Sequence, residues 1–308
     1  MQPILHHYWR SPYAEKVRAY LGYKGLAWRS REIAVTPPRP SLAPILGAFR
    51  RTPVLQIGAD YVCDTRLILE AIDTLSDRST PTAPATAVSD LICGWGEPRM
   101  FVLLGAIRFQ KATDIEGVFD GQVDVERFST DRLPFMQPAY EAARFRQLRE
   151  PAIDHLRRYL SVIDKALAER GPFIGGDRPS HGDFSAYHTI WWLRVPPRHD
   201  ELVQLYPRIE KWADRFAAFG KSSFVSILDD ETFEAARLPP AFQPDWPIVD
   251  DDRLGHEVEI VPDDYGRNPI RGRLIVATDR HVAIERAIDG LDKVRVHIPR
   301  LGYEIVAV

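Results

Sequence analysis

Ile4-Leu5-His6-His7-Tyr8-Trp9-Arg10-Ser11-Pro12-Tyr13-Ala14-Glu15-Lys16-Val17-Arg18-Ala19-Tyr20-Leu21-Gly22 carries one hand-over from strand to helix. The apolar and aromatic run from Ile4 to Trp9 stops at Arg10-Ser11-Pro12. Helical spacing begins at once in Tyr13, Val17, Tyr20 and Leu21. Ser11 reads as the N-cap, its hydroxyl placed to accept from an unpaired amide of the first turn. Pro12 reads as the first helical residue, where a missing N–H costs nothing. The Ser11 hydroxyl therefore lies in the field of a helix's positive end, which favours an anion: phosphate, carboxylate or thiolate. Serine caps helices routinely, so its weight here comes from two further signals within about 60 residues downstream.

Arg51-Thr52-Pro53-Val54-Leu55-Gln56-Ile57 puts a proline at the mouth of an apolar run. That position suits a strand's first residue or a tight turn, where a cis bond is tolerated. Gly58-Ala59-Asp60 turns into a second short strand, Tyr61-Val62-Cys63. Asp64-Thr65 then stands at the start of a helix marked by Leu67, Ile68, Ala71, Ile72 and Leu75. Again a small polar pair sits where a helix begins.

Strand, helix, strand (Ala27 to Val35), loop, proline-headed strand, hairpin strand and helix keep the order of the thioredoxin-like domain of glutathione transferases. Ser11-Pro12-Tyr13-Ala14-Glu15-Lys16-Val17-Arg18 resembles that family's active-site helix start in the classes that use serine or cysteine. Thr52-Pro53-Val54-Leu55 looks like its cis-proline segment, and Asp64-Thr65 like its acidic-plus-hydroxyl pair. The resemblance implies a glutathione-dependent transferase with no metal. Ser11 would hold the glutathione thiolate, with Tyr8, at the end of the first strand, as the competing hydroxyl. Thr52, beside Pro53, would pair its backbone with the cysteinyl part of the tripeptide. Asp64 and Thr65 would take the γ-glutamyl ammonium and carboxylate, and Arg51 would reach the glycyl carboxylate. A serine in place of a cysteine argues against a mixed-disulfide mechanism and for conjugation, dehalogenation or ether cleavage of a hydrophobic electrophile. The alternative is a non-catalytic transferase-like scaffold that recruits a partner through its C-terminal strands.

The middle of the chain extends the resemblance to an all-helical domain. Helical patterns run from about Val88 to Ala112, Tyr140 to Glu169, Phe184 to Leu193 and Ile209 to Phe219, while Thr113 to Pro138 reads as an irregular loop, or as helix ends with an insertion. Ser180 and Asp183 are spaced as a capping box, similar to the one that heads the family's buried central helix. His181 inside it reads as part of the helix turn. In relatives the groove between the domains receives the electrophile. Trp9, Trp95, Met100, Phe101 and Leu104 are the apolar groups of this chain that would line it. Residues 1–78 are expected to form the first domain and 87–235 the second, joined by a Ser/Thr/Pro/Ala linker from Asp77 to Thr86.

Composition narrows the classes. A length of 308 residues suggests two or three domains. A formal net charge of −3, with no basic block, gives no electrostatic case for nucleic acid. No long apolar span or signal-like N-terminus is read, so the expectation is a soluble cytoplasmic protein that does not contact membrane. Two cysteines, Cys63 and Cys93, cannot build a disulfide framework. Cys63 reads as a small buried strand residue, and no Cys/His pattern points to a metal. The family resemblance implies a homodimer.

Beyond Ala235 the resemblance ends. A proline-rich spacer covers 236–252. Residues 253–308 then read as a small all-β module of five short strands, a strongly bent sheet or an SH3-like barrel. The strands begin at Glu257, Arg273, His281, Lys293 and Tyr303. Asp263-Asp264-Tyr265-Gly266-Arg267 reads as a turn between two of them.

Overall fold

The computed structural model describes residues 1–76, 82, 87–136 and 149–308. The linker expected at 77–86 lies, Thr82 apart, outside the described residues, as does the first part of the helix expected from Tyr140. The chain falls into two compact units: residues 1–17, 24–77 and 222–308 form one, and residues 18–23 and 78–221 the other.

The first unit starts as the sequence leads one to expect. Strand β1 (Ile4–His7) passes into α1 (Pro12–Lys24), and β2 (Trp28–Glu32) lies parallel to β1. A short helix α2 (Ala43–Leu46) precedes the hairpin of β3 (Val54–Ile57) and β4 (Asp60–Cys63), which leads into α3 (Thr65–Leu75). β3 runs antiparallel to β1, giving the mixed four-stranded sheet of a thioredoxin-like domain. The two histidines of β1 find separate partners. His6 Nε2 meets Gln56 Oε1 at 2.9 Å, and His7 Nε2 meets Ser30 Oγ at 2.9 Å.

The C-terminal residues form the strands of the expected β module and join them to the first sheet. All five expected strands form: β6 (Glu257–Pro262), β7 (Ile270–Ala277), β8 (His281–Ala287), β9 (Lys293–Pro299) and β10 (Tyr303–Ala307). They make an antiparallel meander whose last strand returns to pair with its first. They do not stand apart as a barrel. β9 pairs parallel with β4, joining Asp60 to Arg295 and Val62 to His297. A three-residue strand β5 (Phe224–Ser226) pairs parallel with β2 at the opposite edge. One ten-stranded sheet results, in the order β10-β6-β7-β8-β9-β4-β3-β1-β2-β5. The physical reason is that β4 would otherwise present a bare row of N–H and C=O groups, which folded chains cover.

The core obeys the same join. Val258, Val282, Val294 and Val296 from the C-terminal strands belong to one buried cluster with Leu46 and Phe49 from the N-terminal segment. Their inward faces thus have no core of their own. The join is polar as well. Asp60, fully buried at the start of β4, accepts from the Ala241 and Phe242 amides at 2.6 Å each and meets His297 Nε2 at 2.9 Å. A carboxylate can only accept, so the His297 proton sits on Nε2. Asp60 therefore ties both the proline-rich spacer and β9 to β4. The hairpin glycine between β3 and β4 is tightly constrained too: Gly58 has φ +62°, and a Cβ there would lie 2.5 Å from the Pro239 carbonyl oxygen.

The second unit is helical. α4 (Ala87–Leu91) runs through a π turn into α5 (Glu97–Arg108). Beyond it come α6 (Ala112–Phe119), α7 (Val125–Met136), α8 (Arg149–Arg170), α9 (His181–Arg194) and α10 (Pro207–Phe219). Of the two readings of 113–138, α6 and α7 favour helix ends over an irregular loop as far as Met136. Asp114, Asp120, Gly121 and Asp124 mark the helix ends, while Gly117 and Asp131 lie inside the helices. The Asp114 carboxylate accepts from the amides of Gln110 and Lys111, and Asp124 accepts from Arg127. Asp120 closes α6 in the left-handed region, with Gly121 next at φ +67°. A last helix, α11 (Asp229–Ala236), belongs to the first unit.

The capping box of α9 forms as expected, and Asp183 does more than cap. It takes the Ser180 amide at 2.9 Å, the Ile174 and Gly175 amides at 2.6 and 2.9 Å, and the Trp212 indole N–H at 3.0 Å. It fastens a loop, a helix start and the α10 tryptophan together. Among the described residues, no helix is long and apolar enough to cross a membrane.

Candidate functional site

Ser11 is 2% exposed and caps α1, its Oγ accepting from the Ala14 amide at 3.1 Å. The Ser11 amide donates to the Tyr8 carbonyl, which tightens the turn between β1 and α1. Accepting one amide leaves the hydroxyl proton available to donate to an anion at the helix N-terminus. This is the geometry read from Ser11-Pro12.

The peptide bond between Thr52 and Pro53 is cis. The loop before it is held by Arg39, which the sequence did not single out. Its guanidinium donates to the Ala34, Val35 and Arg50 carbonyls at 3.0, 2.9 and 2.7 Å, and to Thr52 Oγ1 at 2.8 Å. A single buried cation thus sets the path of the chain into β3.

Asp64 heads α3 with φ 71° and ψ 130°, a conformation rare for any residue with a Cβ. Strain of this kind persists where surrounding contacts over-determine it, often at ligand clamps. Here Arg66 supplies those contacts, donating its amide and Nε to Oδ1 at 3.0 and 3.1 Å and its Nη2 to Oδ2 at 2.9 Å. Burial works to raise the Asp64 carboxyl, but the Arg66 guanidinium and its hydrogen bonds outweigh it and hold the group well below the usual carboxylate range. Thr65, 5% exposed, accepts from the ammonium of the fully buried Lys16 at 3.1 Å. Lys16 lies about one turn beyond Ser11 on α1, so this contact ties the first turns of the two helices together through a cation. Sequence spacing gave no sign of this, because a lysine on an early helical turn normally faces water.

Arg51 does not face solvent. Its side chain is 14% exposed, and its Nη2 donates to the Asp264 carboxylate and, at 2.6 Å, to the Tyr265 carbonyl. Its Cζ lies 4.7 Å from the Tyr265 ring centre and 5.4 Å from that of Tyr303, both within cation–π reach. Burial pushes both phenols above their ordinary range, so each remains a donor. The Tyr265 hydroxyl donates to that of Tyr13 at 3.2 Å, and the Tyr303 hydroxyl to Asp64 Oδ2 at 3.2 Å. The turn expected at 263–267 is therefore a site-facing loop. The residues of the site that the sequence missed include Lys16, Arg39, Arg66, Asp264, Tyr265 and Tyr303. Arg51 lies 213 residues from Asp264, and Asp64 lies 239 from Tyr303, and no spacing rule spans that.

Ser11, Thr52, Pro53, Asp64 and Thr65 all lie at the helix starts and the loop before β3 in the first unit. Tyr8 is partly buried. Trp9 packs edge-on to His7 (4.8 Å) and against Phe224 of β5 (5.6 Å). Met100 and Leu104 are buried core residues of α5, and Phe101 stacks on Trp192 at 5.6 Å. The Trp95 side chain lies outside the described residues. Cys63 is buried in β4, and burial, with Asp64 adding to it, pushes its thiol far above the ordinary range. Among the described residues, no group of three or more His, Cys, Asp or Glu side chains is placed to hold a metal ion.

Residues 5–80 match the family described as glutathione S-transferase, N-terminal domain, and residues 137–215 match glutathione S-transferase, C-terminal domain. Together the two matches span about half of the chain. Among solved structures, a GST-like protein from Pseudomonas syringae is 28% identical. The match covers 100% of this chain and 99% of that one at a TM-score of 0.77, so it runs through the C-terminal strands. A glutathione S-transferase from Sinorhizobium meliloti 1021 is 18% identical, covering 71% of this chain and 89% of that one at a TM-score of 0.50. A glutathione S-transferase from Methylobacterium radiotolerans, solved in complex with glutathione sulfonate, is 20% identical; 74% of this chain and 98% of that one are covered, with a TM-score of 0.46. No curated protein matches the sequence.

Proposed function

This chain belongs to the glutathione S-transferase family, and from that membership we propose that it is a glutathione-dependent transferase acting on a hydrophobic electrophile. The observation that carries the reading is Asp64. A buried carboxylate is kept ionised in a left-handed backbone conformation at the start of α3, next to Thr65 and Lys16.

In this reading Asp64 takes the γ-glutamyl ammonium, Thr65 the γ-glutamyl carboxylate and the Thr52 backbone the cysteinyl part. Arg51 takes the glycyl carboxylate. Ser11, in preference to Tyr8, donates to the sulfur. A free thiol has a pKa near about 8.5. The Ser11 hydroxyl and the positive end of α1 both favour the charged form and lower that value. The thiol proton leaves to solvent. The thiolate then forms a bond to the electrophilic carbon, whose leaving group departs with its bonding electrons. Trp9, partly buried in the first unit, is the apolar group that would meet the electrophile. We place this activity in a cytoplasmic homodimer with a detoxifying role, as in the family at large.

The second reading is a non-catalytic scaffold that recruits a partner through its C-terminal strands. It draws on the contacts of Arg51 and Asp64 with Asp264, Tyr265 and Tyr303. Calorimetric titration with glutathione separates the two. The transferase reading expects saturable binding that Asp64→Ala weakens at least about tenfold, since hydrogen bonds to charged groups contribute about 1.5–3 kcal/mol. Heat of dilution alone from the full chain favours the scaffold.

A further inference from the structure

The glutathione reading, on which this inference rests, assigns Arg51 and Asp64 to the two charged ends of the tripeptide. Both already hold partners from the C-terminal strands. Arg51 faces the Asp264 carboxylate, the same chemical group as a glycyl end, and sits against the faces of Tyr265 and Tyr303. Asp64 receives four donors: the amide, Nε and Nη2 of Arg66, and the Tyr303 hydroxyl. A carboxylate offers about four lone-pair sites. An incoming ammonium must therefore displace a donor, and Tyr303 is the one that does not belong to Asp64's own turn.

The two occupying groups are held by separate devices. Asp264 and Tyr265 lie in the loop between β6 and β7. Tyr303 begins β10, where it pairs with Pro262, and the turn before it is fixed by Arg66 Nη2 donating to the Leu301 carbonyl at 2.9 Å. That turn comes so close that a Cβ on Gly302 would lie 2.8 Å from Arg66 Nη2. The exposures agree: the side chains of Asp64 and Arg51 are 11% and 14% accessible.

We propose that the C-terminal strands act as an intramolecular competitor for the glutathione site, with Asp264 on Arg51 in place of the glycyl carboxylate and Tyr303 on Asp64 in place of the γ-glutamyl ammonium. The tripeptide binds when the 263–267 loop and Tyr303 withdraw. The apparent affinity is then the intrinsic affinity reduced by the fraction of molecules in the withdrawn state. Linkage makes the competition reciprocal: bound glutathione must loosen the same loop.

The test is calorimetric titration of the full chain with glutathione, using Asp264→Ala, Tyr303→Phe and the pair. Tyr303→Phe keeps the ring over Arg51 and removes only the hydroxyl. Each single variant is expected to bind glutathione about tenfold more tightly than the parent, the size of one lost charge-assisted contact. In the parent chain, saturating glutathione is expected to speed amide exchange at 263–267 and 301–305. Folded variants that bind glutathione within twofold of the parent overturn the competitor while leaving the transferase reading in place. So does glutathione that leaves exchange in that loop unchanged or slower. If neither parent nor folded variants bind glutathione, the transferase reading fails and the competitor with it. Should Asp264→Ala not fold, Tyr303→Phe and the exchange measurement decide.

Discussion

Lowering the pH from 7 to 4 is expected to cost the first unit about 6 kcal/mol of stability through two buried histidines. Burial lowers His6 to about 4, with its hydrogen bond to Gln56 only partly offsetting that. Burial, with His297 and Arg300 adding to it, lowers His281 to about 3. Both are neutral in the fold, whereas in the unfolded chain each takes a proton near about pH 6.5. Between pH 6.5 and 4 the unfolded state therefore binds more protons than the native state, so stability rises with pH across that window. The contribution is complete above about pH 6.5 and lost as pH falls toward the folded values. Each histidine accounts for roughly 3 kcal/mol at pH 4. Urea midpoints measured every half unit should show the slope, and His281→Gln should remove about half of it. A midpoint that stays flat from pH 6.5 to 4 would show that these rings are not buried as neutral groups.

Asp60→Ala should be the most damaging single substitution at the join between the N-terminal strands and β6–β10. It strands three donors at once: the Ala241 and Phe242 amides and His297 Nε2. Breaking a buried charged partnership typically costs about 3–5 kcal/mol, and two orphaned amides place this site at the upper end, at about 5 kcal/mol. Asp60→Asn should recover only part of the loss, because its NH2 group would face a donor. The spatial signature matters as much as the size. Amide protection should fall first in β9, around Arg295–His297, and the helical unit should keep its own. Equal loss of protection across both units would mean that Asp60 does not anchor this seam in particular.

Much of the candidate site was legible in sequence because local rules produce it. Ser11-Pro12 is a cap with a first-turn proline behind it, and Ser180 and Asp183 keep the spacing of a capping box. Pro53 marks the mouth of a strand. Each feature depends on residues within about four positions of one another. The sequence leaves the outcome open where a local rule has two outcomes. Asp114, Asp120, Gly121 and Asp124 interrupt apolar spacing whether they sit in a loop or end two short helices, and here they end α6 and α7. Alternation in residues 257–308 fixed which side chains point inward but not which strand would cover the edge of β4. One clue did lie in the residue order. Asp60 sits beside Tyr61-Val62-Cys63, and a carboxylate next to such a buried strand needs partners from elsewhere. The meeting of Arg51 and Asp64 with Asp264 and Tyr303 has no local signature at all.

The central claim is that the start of α1 activates a glutathione thiol, and ultraviolet thiolate absorbance of glutathione on the full chain tests it most directly. Titrated from pH 5 to 10 beside Ser11→Ala, the parent should show bound thiolate well below the ordinary thiol pKa near about 8.5. The Ser11→Ala curve should move up by about one unit, the loss of one hydrogen bond to a charged sulfur at about 1.4 kcal/mol per unit. Bound glutathione that titrates at the free-thiol value in the parent, or identically in both proteins, would contradict the account.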